Sequence, residues 1–155
     1  MNKIGIGVDY SNICKDYNTS YLDRDNKDPA TSKCMKQVLE WTQEFLSELI
    51  KNFDFKMYQL HSEIPLKIDD IASKRFLFYS LEKEIMLQDY VLQKEYVQYD
   101  NSTAWAEQNN DSVLIQNDED GSGLYFFMEA NSSMHQWMLN KLQRFSLDEI
   151  DFPTK

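Results

Sequence analysis

Ser112-Val-Leu-Ile-Gln116, then Asn117-Asp-Glu-Asp-Gly-Ser-Gly123, then Leu124-Tyr-Phe-Phe-Met128, carries the strongest hairpin signal in the chain. Two runs rich in β-branched and aromatic residues flank an acidic, glycine-containing turn, which predicts a β-hairpin. Immediately downstream, Ser133 with Gln136 three residues later has the form of a capping box and predicts a helix start there. Met134, Trp137, Met138, Leu142 and Phe145 then recur on one helical face, and Lys141 and Arg144 complement the negative end of the helix dipole. The nine residues that follow, 147–155, read as a short acidic tail carrying Ile150 and Phe152.

Upstream, 100–111 reads as a polar loop carrying Trp105, and 80–99 is open to two readings. No Gly or Pro interrupts 80–99, and Ile85, Leu92, Tyr96 and Tyr99 predict a helix capped by Ser80; the alternative is two strands centred on 90–92 and 95–99. Strands are expected at 55–60, ending before Pro65, and at 76–79, with a helical turn at 68–73. The longest periodic element opens at Asp28-Pro29, where Asp28 caps the free amides and Pro29 takes the first helical position. Met35, Val38, Trp41 or Thr42, Phe45, Leu49 and Phe53 follow as one apolar stripe, ending near Asn52. Before it, 10–27 reads as an irregular loop, and Ile4, Ile6 and Val8 alternating with Gly5 and Gly7 predict a strand at the start. Strands and helices in this order predict one α+β domain over 1–146, an antiparallel sheet with two or three helices packed on it, and the tail 147–155 beyond it.

Composition excludes several function classes. The 155 residues carry 16 Lys plus Arg against 26 Asp plus Glu, a formal charge of −10 that opposes direct binding to a phosphate backbone. No apolar window is long enough to span a membrane and no signal-peptide core stands at the start, so a soluble, cytoplasmic protein is expected. Cys14 and Cys34, with no Cys-x-x-Cys and no neighbouring His, fit reduced thiols, and Cys34 falls in register with the apolar stripe of its helix. The 14% aromatic content and 7 Met leave room for a homo-oligomer.

Catalytic and metal signatures are thin. Gly5-x-Gly7 lacks the third glycine of a dinucleotide-binding turn, because Tyr10 stands there. The acidic runs at 23–34 and 116–127 lack the terminal glutamate of a calcium loop, with Cys34 and Phe127 in its place. His61 and His135 read as surface residues and have no zinc-ligand spacing; neither a metal nor a cofactor is expected. Cys14 beside Lys15 is the one candidate nucleophile, for a small hydrolase or transferase using that thiol or a carboxylate pair.

More specific is the row Glu40, Glu44, Glu48, repeating every four residues opposite the apolar stripe of the first long helix. Like charges at that spacing destabilise a helix slightly. Their use is attraction of a basic partner. The leading expectation is therefore a non-enzymatic interaction protein, inhibitor-, immunity- or antitoxin-like, that engages a basic protein through these three residues. An alternative follows from adjacent acids and rings, Asp9-Tyr10, Asp16-Tyr17, Asp89-Tyr90, Glu95-Tyr96 and Tyr99-Asp100: a module that binds a small organic cation in an aromatic, acid-lined pocket.

Overall fold

The computed structural model describes residues 2–17, 29–60, 62–68, 89–108, 110–117 and 123–152, with the backbone alone at 29–33, 35 and 117. The Asp28 cap, the loop from 18 onward, most of the turn at 68–73, the strand at 76–79, the start of 80–99, the acidic turn at 118–122 and His61 lie outside these residues. Strands β1 (Lys3–Asp9), β2 (Lys56–Gln59), β3 (Tyr90–Gln93), β4 (Val113–Asn117), β5 (Gly123–Glu129) and β6 (Leu147–Asp151) form one sheet in the order β2-β3-β4-β5-β1-β6. Every neighbouring pair is antiparallel. Helices α1 (Pro29–Phe53), α2 (Ser102–Ala106) and α3 (Ser133–Lys141) complete an α+β fold.

Each face of the sheet has its own cover. On one face Ile6, Val8, Leu92, Ile115, Leu124, Phe126 and Met128 meet Val38, Phe45, Leu46 and Leu49 of α1 and Met134 and Met138 of α3. On the other face Tyr58, Val91, Leu114 and Phe127 pack with Trp105 and Ala106 of α2, and with Tyr99 and Phe152. Burial on both sides explains why Tyr90-Val91-Leu92-Gln93 is buried at every position. A strand covered on both faces loses the period-two signature. The helix expected over 80–99 is thus corrected at its described end: residues 90–93 are strand β3.

Local chemistry fixes the element ends. Asp54, at φ 55°, ends α1 in the left-handed region, and the Phe55 N–H donates back to the Ile50 carbonyl at 3.0 Å. That bond satisfies one of the last helical carbonyls. At α3 the capping residue is Ser132 rather than Ser133, its hydroxyl accepting from the His135 N–H at 3.2 Å. The stretch read as an acidic tail pairs, from Leu147 to Asp151, with β1. Phe152 then inserts between Phe127 and Trp105, with ring centroids 4.9 and 6.0 Å away.

The two cysteines are joined. Cys14 follows the short 3-10 turn after β1 and lies 5.3 Å, Cα to Cα, from Cys34 on α1, with which it forms a disulfide. The expectation of reduced thiols is corrected: twenty residues of separation hid a spatial proximity that the turn at Tyr10–Asn12 creates. No helix among the described residues is long and apolar enough to cross a membrane.

Candidate functional site

A four-residue spacing overshoots one helical turn by about 40°, so a row of glutamates at that spacing drifts around its helix. Glu40 and Glu44 are exposed, while Glu48 swings toward α3 and pairs with Lys141 at 3.0 Å. The row therefore does not stay opposite the apolar stripe: its C-terminal part reaches the rim of a cleft between α1 and α3. That cleft, of about 210 Å³, is lined by Trp41, Phe45, Leu142 and Phe145, with Glu44 and Glu48 on one side and Lys141 and Arg144 on the other. Trp41 and Phe45 stack at 5.0 Å and an interplanar angle of 6°, and Phe145 lies 5.7 Å from Trp41.

Its electrostatics are mixed. The Glu48–Lys141 pair is over two-fifths exposed on both sides and adds at most about 1 kcal/mol. Arg144 lies over its neighbour Phe145 at 5.1 Å, and Lys141 stands 5.8 Å from the Trp137 ring centroid. Two native cations thus already occupy ring faces around the cleft. Glu40 and Glu44 make no ion pair among the described residues, so their charges face solvent uncompensated.

Of the remaining sequence candidates, Glu95 and Tyr99 share one open cavity of about 270 Å³ with Lys94, Val97 and Asp111, and the others stand apart from it. Tyr10, Tyr90 and Tyr99 are buried while Asp9 and Asp100 point to water, so the adjacent acid–ring pairs split between core and solvent. Cys14, oxidised, has no thiolate to attack with, and the thiol version of an enzyme is withdrawn. His135 is buried, not a surface residue: its Nδ1 accepts from the Asn131 N–H at 2.9 Å, which leaves the neutral ring's proton on Nε2, 3.7 Å from Glu149. Asn131 reaches that geometry at φ 62°. Among the described residues no three His, Cys, Asp or Glu side chains gather closely enough to hold a metal ion.

Sequence reasoning missed a second polar cluster, around Lys3. Its side chain is fully enclosed, and Nζ donates to Gln108 O at 2.7 Å, Asn110 Oδ1 at 3.2 Å and Glu129 Oε1 at 3.3 Å. It also lies 5.0 Å from the Trp105 ring centroid. The Trp105 indole N–H donates to Ser112 Oγ at 2.7 Å, and Ser112 donates to Asn110 Oδ1 at 2.9 Å. Burial pushes the Lys3 ammonium below the usual lysine value, and Glu129 pulls it part of the way back. The three acceptors match the three hydrogens of an ammonium, and the cluster pins β1 to the segment that follows α2. The one hint in the sequence is a tryptophan in an otherwise polar loop.

Comparisons with family models, with curated proteins and with solved structures find no match.

Proposed function

We propose that the protein is a binding protein, inhibitor-, immunity- or antitoxin-like, that engages a basic protein partner through the α1 face carrying Glu40, Glu44 and Glu48. The observation that carries this reading is the rim of the α1–α3 cleft, where uncompensated Glu44 stands beside Trp41 and Phe145. Protein interfaces favour such a composition: aromatic anchors supply contact area, and charges at the edge steer encounter and set partner choice. In an acidic chain of net charge −10 the long-range field adds to this steering.

The test is kinetic. With the partner captured from the native cell, raising salt from low to physiological ionic strength is expected to weaken the complex steeply, and Glu44→Lys to slow association more than it speeds dissociation. A complex indifferent to both salt and Glu44→Lys overturns the reading.

The same cleft favours a second reading, capture of a small organic cation between Trp41, Phe145 and Glu44. Arg144, which lies over Phe145, competes with it for that ring. Lipophilic cations should then raise the melting temperature, more so in Arg144→Ala, while anions of similar size leave it unchanged.

A further inference from the structure

The sheet has two edges, and the chain treats them differently. At β2, the Leu66 N–H donates to the Met57 carbonyl at 2.7 Å, so the protein's own 62–68 segment closes part of that edge. At β6, residues 148–151 are all exposed. The register fixes which backbone groups are unpaired there among the described residues. The Phe152 N–H donates to the Lys3 carbonyl, and Lys3 and Phe152 stand opposite one another in the ladder that pairs Gly5 with Ile150 and Gly7 with Asp148. In an antiparallel ladder such hydrogen-bonded pairs alternate with unbonded ones. Ile150 and Asp148 therefore turn their N–H and C=O groups toward β1, and Leu147, Glu149 and Asp151 turn theirs away from the sheet.

This edge is held in place at both ends. Asn12 brackets Ser146, its Oδ1 accepting from the Ser146 N–H at 3.2 Å and its Nδ2 donating to the Ser146 carbonyl at 3.3 Å. Phe152 is buried between Phe127 and Trp105 at the other end. In between, Glu149 approaches to 3.7 Å from the buried His135 Nε2, an atom with no hydrogen-bond partner among the described residues. Asp148, Glu149 and Asp151 give the strand three carboxylates and no basic residue.

We propose that β6 receives an extended segment of a partner protein as an additional strand, with Lys or Arg opposite Glu149 and Asp151 and an apolar residue opposite Ile150. Strand addition supplies main-chain hydrogen bonds for affinity and alternate side-chain contacts for specificity. Charge decides the occupant. A second copy of this chain, paired through its own β6 about a dyad at any residue from Asp148 to Asp151, would set carboxylate against carboxylate, Asp148, Glu149 or Asp151 against itself or Glu149 against Asp151, and like charges directly opposite are unfavourable. A basic strand meets the opposite sign at the same positions. This inference goes beyond the α1 reading and does not depend on it, because the two surfaces are tested by different residues.

The experiment uses the full chain, isotope-labelled, titrated with acetyl-Lys-Val-Lys-Val-Lys-amide and followed by amide shifts. In antiparallel addition with Lys opposite Glu149 and Asp151, the peptide's Lys N–H groups face β6, and its Val N–H groups face solvent. Binding is expected to protect the Leu147, Glu149 and Asp151 amides from exchange. N-methylation at the lysines should weaken it at least about tenfold, while N-methylation at the valines leaves it nearly unchanged. In the protein, Asp151→Pro removes an outward N–H without touching the ladder to β1, and should weaken binding further than Asp151→Asn. Equal binding of both methylated peptides, shifts confined to α1, or no binding of the parent peptide each overturns the proposal. Shifts confined to α1 would at the same time leave the α1 reading standing.

Discussion

Replacing Gly5 with alanine plants a Cβ 2.3 Å from Phe127 Cε1, 2.6 Å from Cδ1 and 3.1 Å from Ile150 Cγ1. The ring cannot step aside. Phe127 is 3% exposed, with Phe152 edge-on at 4.9 Å and Tyr125 stacked at 5.9 Å. Overpacking of this kind costs about 1–3 kcal/mol. Against it, removing a glycine from a strand interior returns roughly 0.5–1 kcal/mol of backbone entropy. The expected net effect of Gly5→Ala is a loss of about 1–2 kcal/mol, or roughly 2–8 °C in melting temperature for a domain of this size. Gly7 offers an internal control: its Cβ would meet Tyr125 Cε1 at 2.5 Å, yet Tyr125 is only half-buried, where Phe127 is enclosed. Gly7→Ala should therefore cost less than Gly5→Ala. Urea unfolding at equilibrium reads both, with the slope unchanged and the midpoint lowered. Gly5→Ala combined with Phe127→Leu should show a coupling of at least about 0.5 kcal/mol, since the smaller side chain vacates the clash. A Gly5→Ala protein as stable as the parent, or a cost equal at Gly5 and Gly7, refutes the reasoning.

Other perturbations have equally definite outcomes. Removing the Cys14–Cys34 bridge by a double change to serine frees a loop of 20 residues and should cost about 3 kcal/mol in chemical denaturation, and an unchanged midpoint would contradict the bridge. Lys3→Met leaves Glu129, 17% exposed, and the Gln108 carbonyl without their cation, with an expected loss of about 3–5 kcal/mol; a variant as stable as wild type would contradict this pinning role. Burial raises the Tyr90 and Tyr99 hydroxyls above 10.0, so their protonated forms contribute stability that is complete below 10.0 and lost as pH climbs through the raised folded values. The lowered Lys3 value acts in the opposite sense, stability rising with pH as it approaches 10.5. Tyr90→Phe should flatten the alkaline fall in stability, measured by denaturation at a series of pH values, and an equally steep fall would refute the assignment.

Where one side of an element is solvated, the sequence carries its signature. The stripe Val38, Phe45, Leu49 identifies α1 because its other side is polar, and the hairpin of β4 and β5 is marked by its turn residues as much as by its strands. Strand β3 is covered on both faces and shows no alternation, so its four buried residues read equally well as helix. Strand β6 fails for the opposite reason. Its exposed edge position is filled with carboxylates, and composition alone then suggests a tail. The disulfide and the Lys3 cluster depend on contacts across 20 and 126 residues of chain, which no local pattern encodes. Of the candidate site, the glutamate row was legible from its spacing, whereas the aromatic cleft beside it needed the packing of α3 against α1. His135 was misread because its burial is set by the Asn131 turn and by β6.

The acidic α1 face is tested most directly by carbodiimide labelling of carboxylates on the free protein and on its complex with the captured partner. Glu40 and Glu44, exposed and unpaired among the described residues, should label readily in the free chain and be protected in the complex, with Glu48 protected alongside them, while Asp100 and Glu107 on the far side of the sheet label equally in both. Unchanged labelling of Glu40, Glu44 and Glu48 in a stable complex would contradict the assignment of this face as the binding surface.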